Sequence, residues 1–256
     1  MKDDCDFSLQ HYKTILKTAV DSGYQFVSYD ELETANTESC VLRHDVDYVP
    51  LRTLEFAEIE RDLGIRSYYF FLISCELYNI RDKRVYEVLH ELKRMSHYVG
   101  LHVDLSWVSD NGSSESILAQ CNEERKLFTG LTDIEPCEII SFHNPGKCKE
   151  LVLNKEIAGL KHTYEDRYFS NVKYLSDSQG WYEGCVCKIF EEKRYKKMQL
   201  LTHPYIWSVQ PKGEYVEDIA QMVKSKQNEI TEYVVKDNTI SSNNEERIRS
   251  LIKSAE

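Results

Sequence analysis

The chain of 256 residues contains no run of eighteen apolar residues, so no segment reads as a membrane-spanning helix. It has no surplus of basic charge. Lys and Arg total 32 against 43 Asp and Glu, and the formal net charge of −11 argues against a polyanionic partner such as nucleic acid. The opening MKDDCDFSLQHYK is acidic and lacks the apolar core of a secretory signal, so the expected location is cytoplasmic. Internal repeats, low-complexity tracts and linkers are absent. The eight cysteines, Cys5, Cys40, Cys75, Cys121, Cys137, Cys148, Cys185 and Cys187, form no paired spacing. Only Cys185 and Cys187 are close and no second pair answers them, so a zinc ribbon is not supported and reduced thiols without a joint role are expected.

What is present is a folded composition, 41% hydrophobic with 17 tyrosines, long enough for a sizeable core. One domain is expected over residues 1–237, followed by a polar tail, 238–256, in which Ile248, Leu251 and Ile252 mark a short helix. Helical spacing predicts helices over about 8–22, 50–63, 82–97 and 113–129, and a long helix starting near Val216. Apolar runs predict strands at YQFVSY (24–29), CVLRH (40–44), SYYFFLI (67–73), YVGLHV (98–103), CEIISFH (137–143) and MQLLTH (198–203), with others near GLKHTY and VKYLS. Over the first 145 residues, strands and helices alternate at the intervals of an α/β barrel.

Four of these strands end in the same kind of residue. LRHDVD ends with Asp45 and Asp47, GLHVD with His102 and Asp104, SFHNPG with His143 and LTHP with His203. In parallel α/β folds the C-terminal strand ends converge on one rim, where active sites are built. One such histidine is ordinary; four ends together, one with a double aspartate, point to a shared cleft. Alternation along the strand puts Asp45 and Asp47 on one face and His44 on the other. Two carboxylates on one face repel unless a cation lies near them. With His102 and His143 they would make a site for a borderline divalent metal, zinc for preference, that leaves a position open for water.

In order, these motifs resemble those of the polysaccharide deacetylase family, carbohydrate esterase family four (NodB homology), over residues 38–210. The resemblance implies a distorted (β/α)7-type barrel and removal of an acetyl group from an N-acetylated sugar by a divalent metal held by one Asp and two His. RHDVD stands where the family has two adjacent aspartates, which implies Asp45 as base and Asp47 as ligand, although Val46 separates them here. GLHVDLS keeps His102 but has Ser106 at the second histidine. SFHNPG has His143 at the family's arginine, so His143 is either the missing ligand or the group that orients Asp45. LTHP matches the family's last motif and implies His203 as general acid. Asp177 and Trp181, in LSDSQGW, and Asn144 are the expected substrate-side residues. The expected substrate is a soluble N-acetyl sugar or sugar precursor of glycan synthesis. The alternatives are a C–N hydrolase of a non-sugar amide and an inactive sugar-binding module, the latter favoured by the lost histidine.

Overall fold

The computed structural model describes residues 5–108, 112–147, 156–208, 215–236 and 244–254. They divide into two compact units, Met1–Pro211 and Lys212–Glu256. The second unit holds the helices Tyr215–Lys236 and Glu245–Ser254, tied by an ion pair of Arg249 with Glu232. Among the described residues no helix is long and apolar enough to cross a membrane.

The first unit is built on β1 (Gln25–Phe26), β2 (Ser39–Val46), β3 (Tyr68–Phe71), β4 (Tyr98–Asp104), β5 (Ser141–His143), β6 (Lys173–Ser176) and β7 (Lys197–Thr202). The sheet order is β5-β4-β3-β2-β7-β6, with β1 beside β2, and every pairing is parallel. Parallel neighbours need crossovers. Helices α3 (Thr53–Asp62), α4 (Lys83–Arg94) and α5 (Ser114–Thr132) supply them between β2 and β5. Helix α1 (Leu9–Asp21) precedes β1; the Ser8 hydroxyl caps it by accepting from the His11 backbone N–H at 3.0 Å. The result is the open, distorted barrel that the motifs imply.

Strand alternation sorts the core into two layers. Outside, Cys40 and Leu42 of β2, Tyr69 and Phe71 of β3, Val99 and Leu101 of β4, and Met198 and Leu200 of β7 pack with Tyr12, Leu16, Phe56 and Leu89 of the helices. Inside, Val41, Tyr68, Phe70 and Ile139 pack with Tyr29 and Tyr168. The registers place Asp45 opposite Phe70, and Phe70 opposite Gly100, so Asp45 belongs to the inner layer. All eight residues of β2 are buried, as a central strand covered on both faces requires.

The expected strand 24–29 is cut short. It ends at Phe26, and Tyr29 opens helix α2 (Tyr29–Thr34). Ser28 and Glu31 form a reciprocal capping box there, and those donors and acceptors are worth more in a helix turn than in further strand. The strand expected near GLKHTY is reduced to two isolated bridges, Ile140 with His162 and Ile157 with Leu160. VKYLS does form β6.

Gly100 is the glycine on which the inner layer depends. A Cβ there would lie 2.6 Å from Cys137 Sγ and 2.8 Å from the Phe70 ring. Both neighbours are buried or packed among rings that cannot withdraw. Gly100→Ala is therefore expected to destabilise the fold by about 1–3 kcal/mol in denaturant unfolding; an unchanged midpoint would contradict this packing.

Candidate metal and acid–base site

The four strand ends meet. Asp47 Oδ1 is 3.1 Å from His102 Nε2 and 3.0 Å from His143 Nδ1, and the two imidazole nitrogens are 3.2 Å apart. Zinc bonds of about 2.0–2.1 Å place tetrahedral donors about 3.3 Å apart, so these three atoms outline one face of such a shell. The site is nearly closed to solvent: Asp47 is 6% exposed and His102 2%. Burial opposes the Asp47 charge, but His102 and His143 together hold its carboxyl well below the ordinary range. The same contact raises the His143 pKa against the effect of burial. His143 Nδ1 thus lies within the candidate donor group of Asp47 and His102.

Asp45 has a different partner. Its Oδ2 accepts from Arg43 Nη2 at 3.2 Å and from the Ser141 hydroxyl at 3.0 Å. Arg43 is fully buried, two residues back on the same face of β2. It also donates to Gln199 Oε1 and to the Tyr164 hydroxyl, and its guanidinium lies 4.9 Å from the centre of the Tyr164 ring. Asp45 Oδ1 is buried and has no hydrogen-bond partner among the described residues. Arg43 and Ser141 were not read from the sequence, although RHDVD itself places an arginine at the alternation spacing from Asp45.

His203 closes the other side, with Nε2 3.9 Å from Asp47 Oδ2. Its Nδ1 pairs with Asp177 Oδ1 at 2.6 Å, and Asp177 Oδ2 accepts from the His203 backbone N–H and from the Trp207 indole. Burial works against the imidazolium, but Asp177 outweighs it, and the His203 pKa rises to about 9. Without a metal, that direction favours the imidazolium. Asp177 is only 1% exposed, so it is the residue that positions His203 and not one that meets substrate.

Neither do the remaining expected residues act together. Trp181 is 4% exposed; its indole donates to Cys5 Sγ and its ring packs against Phe7 and Trp207. It is a core residue, because its flat faces are already covered. Asn144 is exposed at the rim directly after His143, with a φ of 48°. The aromatic rings that do flank the site are Tyr48, next to Asp47, and Tyr205, two residues after His203, with centroids 4.9 Å apart. Immediate adjacency to the strand-end motifs was the signal for them.

His44 faces away, as alternation requires. Its Nε2 is 2.8 Å from Glu60 Oε1 and its Nδ1 2.7 Å from the Thr202 hydroxyl. Glu60 is fully buried in α3 and also accepts from the hydroxyls of Tyr12, Tyr69 and Ser67. Burial opposes its charge, yet His44, His97 and the Ser67 hydroxyl lower its pKa.

Against this geometry, no protein-family model and no curated protein matches the chain. Solved structures do. The neighbours are family 4 carbohydrate esterases. One from Bacillus anthracis is 13% identical at a TM-score of 0.41, covering 84% of this chain and 85% of that one. A Streptococcus mutans family 4 esterase is 10% identical at a TM-score of 0.45, covering 78% and 86%. A family 4 pseudoenzyme from Bacillus anthracis is 12% identical at a TM-score of 0.41; the alignment covers 76% of this chain and spans 62% of the pseudoenzyme's length. A mutant pseudoenzyme with restored activity is spanned over 64% of its length. All are distant in sequence.

The Asp177–His203 pair makes a direct prediction. In metal-free protein, NMR titration of the His203 imidazole should give a pKa near 9, falling toward or below the ordinary histidine range in Asp177→Asn. An unshifted titration in the variant would show that Asp177 does not hold the proton there.

Proposed function

We propose that this chain is a metal-dependent hydrolase that removes the acetyl group from an N-acetylated sugar. The observation that carries the reading is a division of labour among buried groups. A carboxylate with one free oxygen, Asp45, and a protonated imidazole, His203, flank the Asp47–His102–His143 donor set. A fold that needed only to bind a sugar has no use for an acid and a base on opposite sides of one position.

The donor set suits a divalent cation, zinc by its mixture of one carboxylate and two imidazoles. When bound, that ion would supply Lewis-acid polarisation of the acyl oxygen and of water. Asp45 takes the proton of the attacking water on Oδ1, while Arg43 and Ser141 keep Oδ2 occupied and the carboxylate fixed in direction. Arg43 also sets a buried positive charge 3.2 Å from that carboxylate. His203 gives its Nε2 proton to the departing nitrogen, which is a poor leaving group as an anion. Asp177 holds Nδ1 and so aims Nε2 inward. Tyr48 and Tyr205 offer ring faces beside the opening for a pyranose. A soluble N-acetyl sugar precursor of glycan synthesis is the substrate this reading favours.

The test is acetate release by the zinc-loaded protein from N-acetylglucosamine oligomers and from a nucleotide-linked N-acetyl sugar. Asp45→Asn should lower kcat by about 10²–10⁴ while leaving metal content unchanged. Acetate release at parental rate by Asp45→Asn would remove Asp45 as base. Release from simple amides alone would move the substrate out of the sugar class, and no release from any would leave a binding module.

A further inference from the structure

A second group of metal-type side chains lies outside the strand-end site. Cys5, in the segment before α1, and His11, on its first turns, meet Cys185 and Cys187 across a sequence separation of about 174 residues. His11 Nε2 is 3.0 Å from Cys185 Sγ and 3.8 Å from Cys187 Sγ. The donor atoms of Cys5, His11 and Cys185 all lie within 4.8 Å of one another. Cys185 interacts through its thiol with Cys5 and Cys187, and Cys187 Sγ stands just outside that close group. All of these thiols are free, so no disulfide accounts for their approach.

Packing alone gives no reason for this convergence. Thiols are weak donors and weak acceptors, and three of them facing one imidazole satisfy one another poorly. A tetrahedral ion with sulfur bonds of about 2.3 Å and a nitrogen bond of about 2.0 Å places sulfur and nitrogen about 3.5 Å apart, between the two distances seen. The Trp181 indole N–H donates to Cys5 Sγ at 3.3 Å, the kind of outer hydrogen bond that stabilises a metal-bound thiolate.

We propose that Cys5, His11, Cys185 and Cys187 form a structural zinc site of Cys3His type. Four protein ligands close the shell, so the site has no open position for chemistry. It joins the N-terminal segment and α1 to the short helix Val186–Glu191. The consequence reaches the acid. The same segment bridges to the loop after His203, with Ser208 N–H donating to Phe7 O and Leu9 N–H to Ser208 O. The Phe7 ring packs edge-on to Trp207, whose indole holds Asp177. The ion would thus clamp the shell behind the His203–Asp177 pair.

Zinc-edge X-ray absorption on zinc-loaded, reduced Asp47→Ala protein tests this, because that substitution removes a ligand of the other site and leaves this one intact. The expected first shell is three sulfurs at about 2.3 Å and one nitrogen at about 2.0 Å. A shell of nitrogen and oxygen alone, or no zinc uptake by folded Asp47→Ala protein, overturns the proposal. Should that variant fail to fold, the parent decides: with both sites filled its mean shell holds between one and two sulfurs per zinc, and with this site alone it holds three. A parent shell without sulfur overturns the proposal whatever becomes of the deacetylase reading.

Discussion

The structure depends on one strand that is buried on both faces and carries ionisable side chains on both. In the centre of a parallel sheet, β2 has no solvent to stabilise Arg43, His44 or Asp45. An unpaired charge in that position would cost several kcal/mol, so each must find its counterpart inside the protein. On the outer face His44 meets Glu60 of α3, which is itself surrounded by three hydroxyl donors. On the inner face Arg43 meets Asp45. Among the hydrogen bonds of the described residues the two networks share no side chain, yet the backbone of β2 joins them, so the outer one fixes the strand from which the inner one is aimed.

That constraint explains the order of the site. Asp45 is secured by Arg43 at the level of Phe70 and Gly100, and the chain then delivers Asp47 one step further out, where burial is slightly less complete. The ligands from β4 and β5 reach Asp47, while His203 arrives from β7 already charged by Asp177. Negative carboxylates and positive partners thus alternate around a small volume. A cation bound to Asp47 would relieve the repulsion between it and Asp45 and would lower the His203 pKa from its metal-free position, making its proton easier to give up.

The strand ends were legible because each apolar run stops at a His or an Asp, and period-two alternation says which way each points. Asp45, Asp47, His102, His143 and His203 are therefore brought together as their positions in the chain suggest. What was not legible depends on contacts between distant segments. Nothing near Asp177 in LSDSQGW shows that its oxygens are taken by His203 and Trp207, and Trp181 looks like a sugar platform until its rings are found packed against Phe7 and Trp207. The cysteines show the same limit: Cys5 and His11 meet Cys185 only across the fold, which spacing along the chain does not reveal. Arg43 was in plain view, but its partner is settled by face and not by proximity in sequence.

On the proposed reading, the strand ends of β2, β4 and β5 hold one metal ion with Asp47 as its pivot. Anomalous diffraction at the zinc edge, from crystals of the full chain grown with zinc, tests it most directly. The expected result is a peak bonded to Asp47 Oδ1, His102 Nε2 and His143 Nδ1, with Asp45 beside it and not bonded. A map without a peak there, or with the ion held by Asp45 or His44 instead, would contradict it.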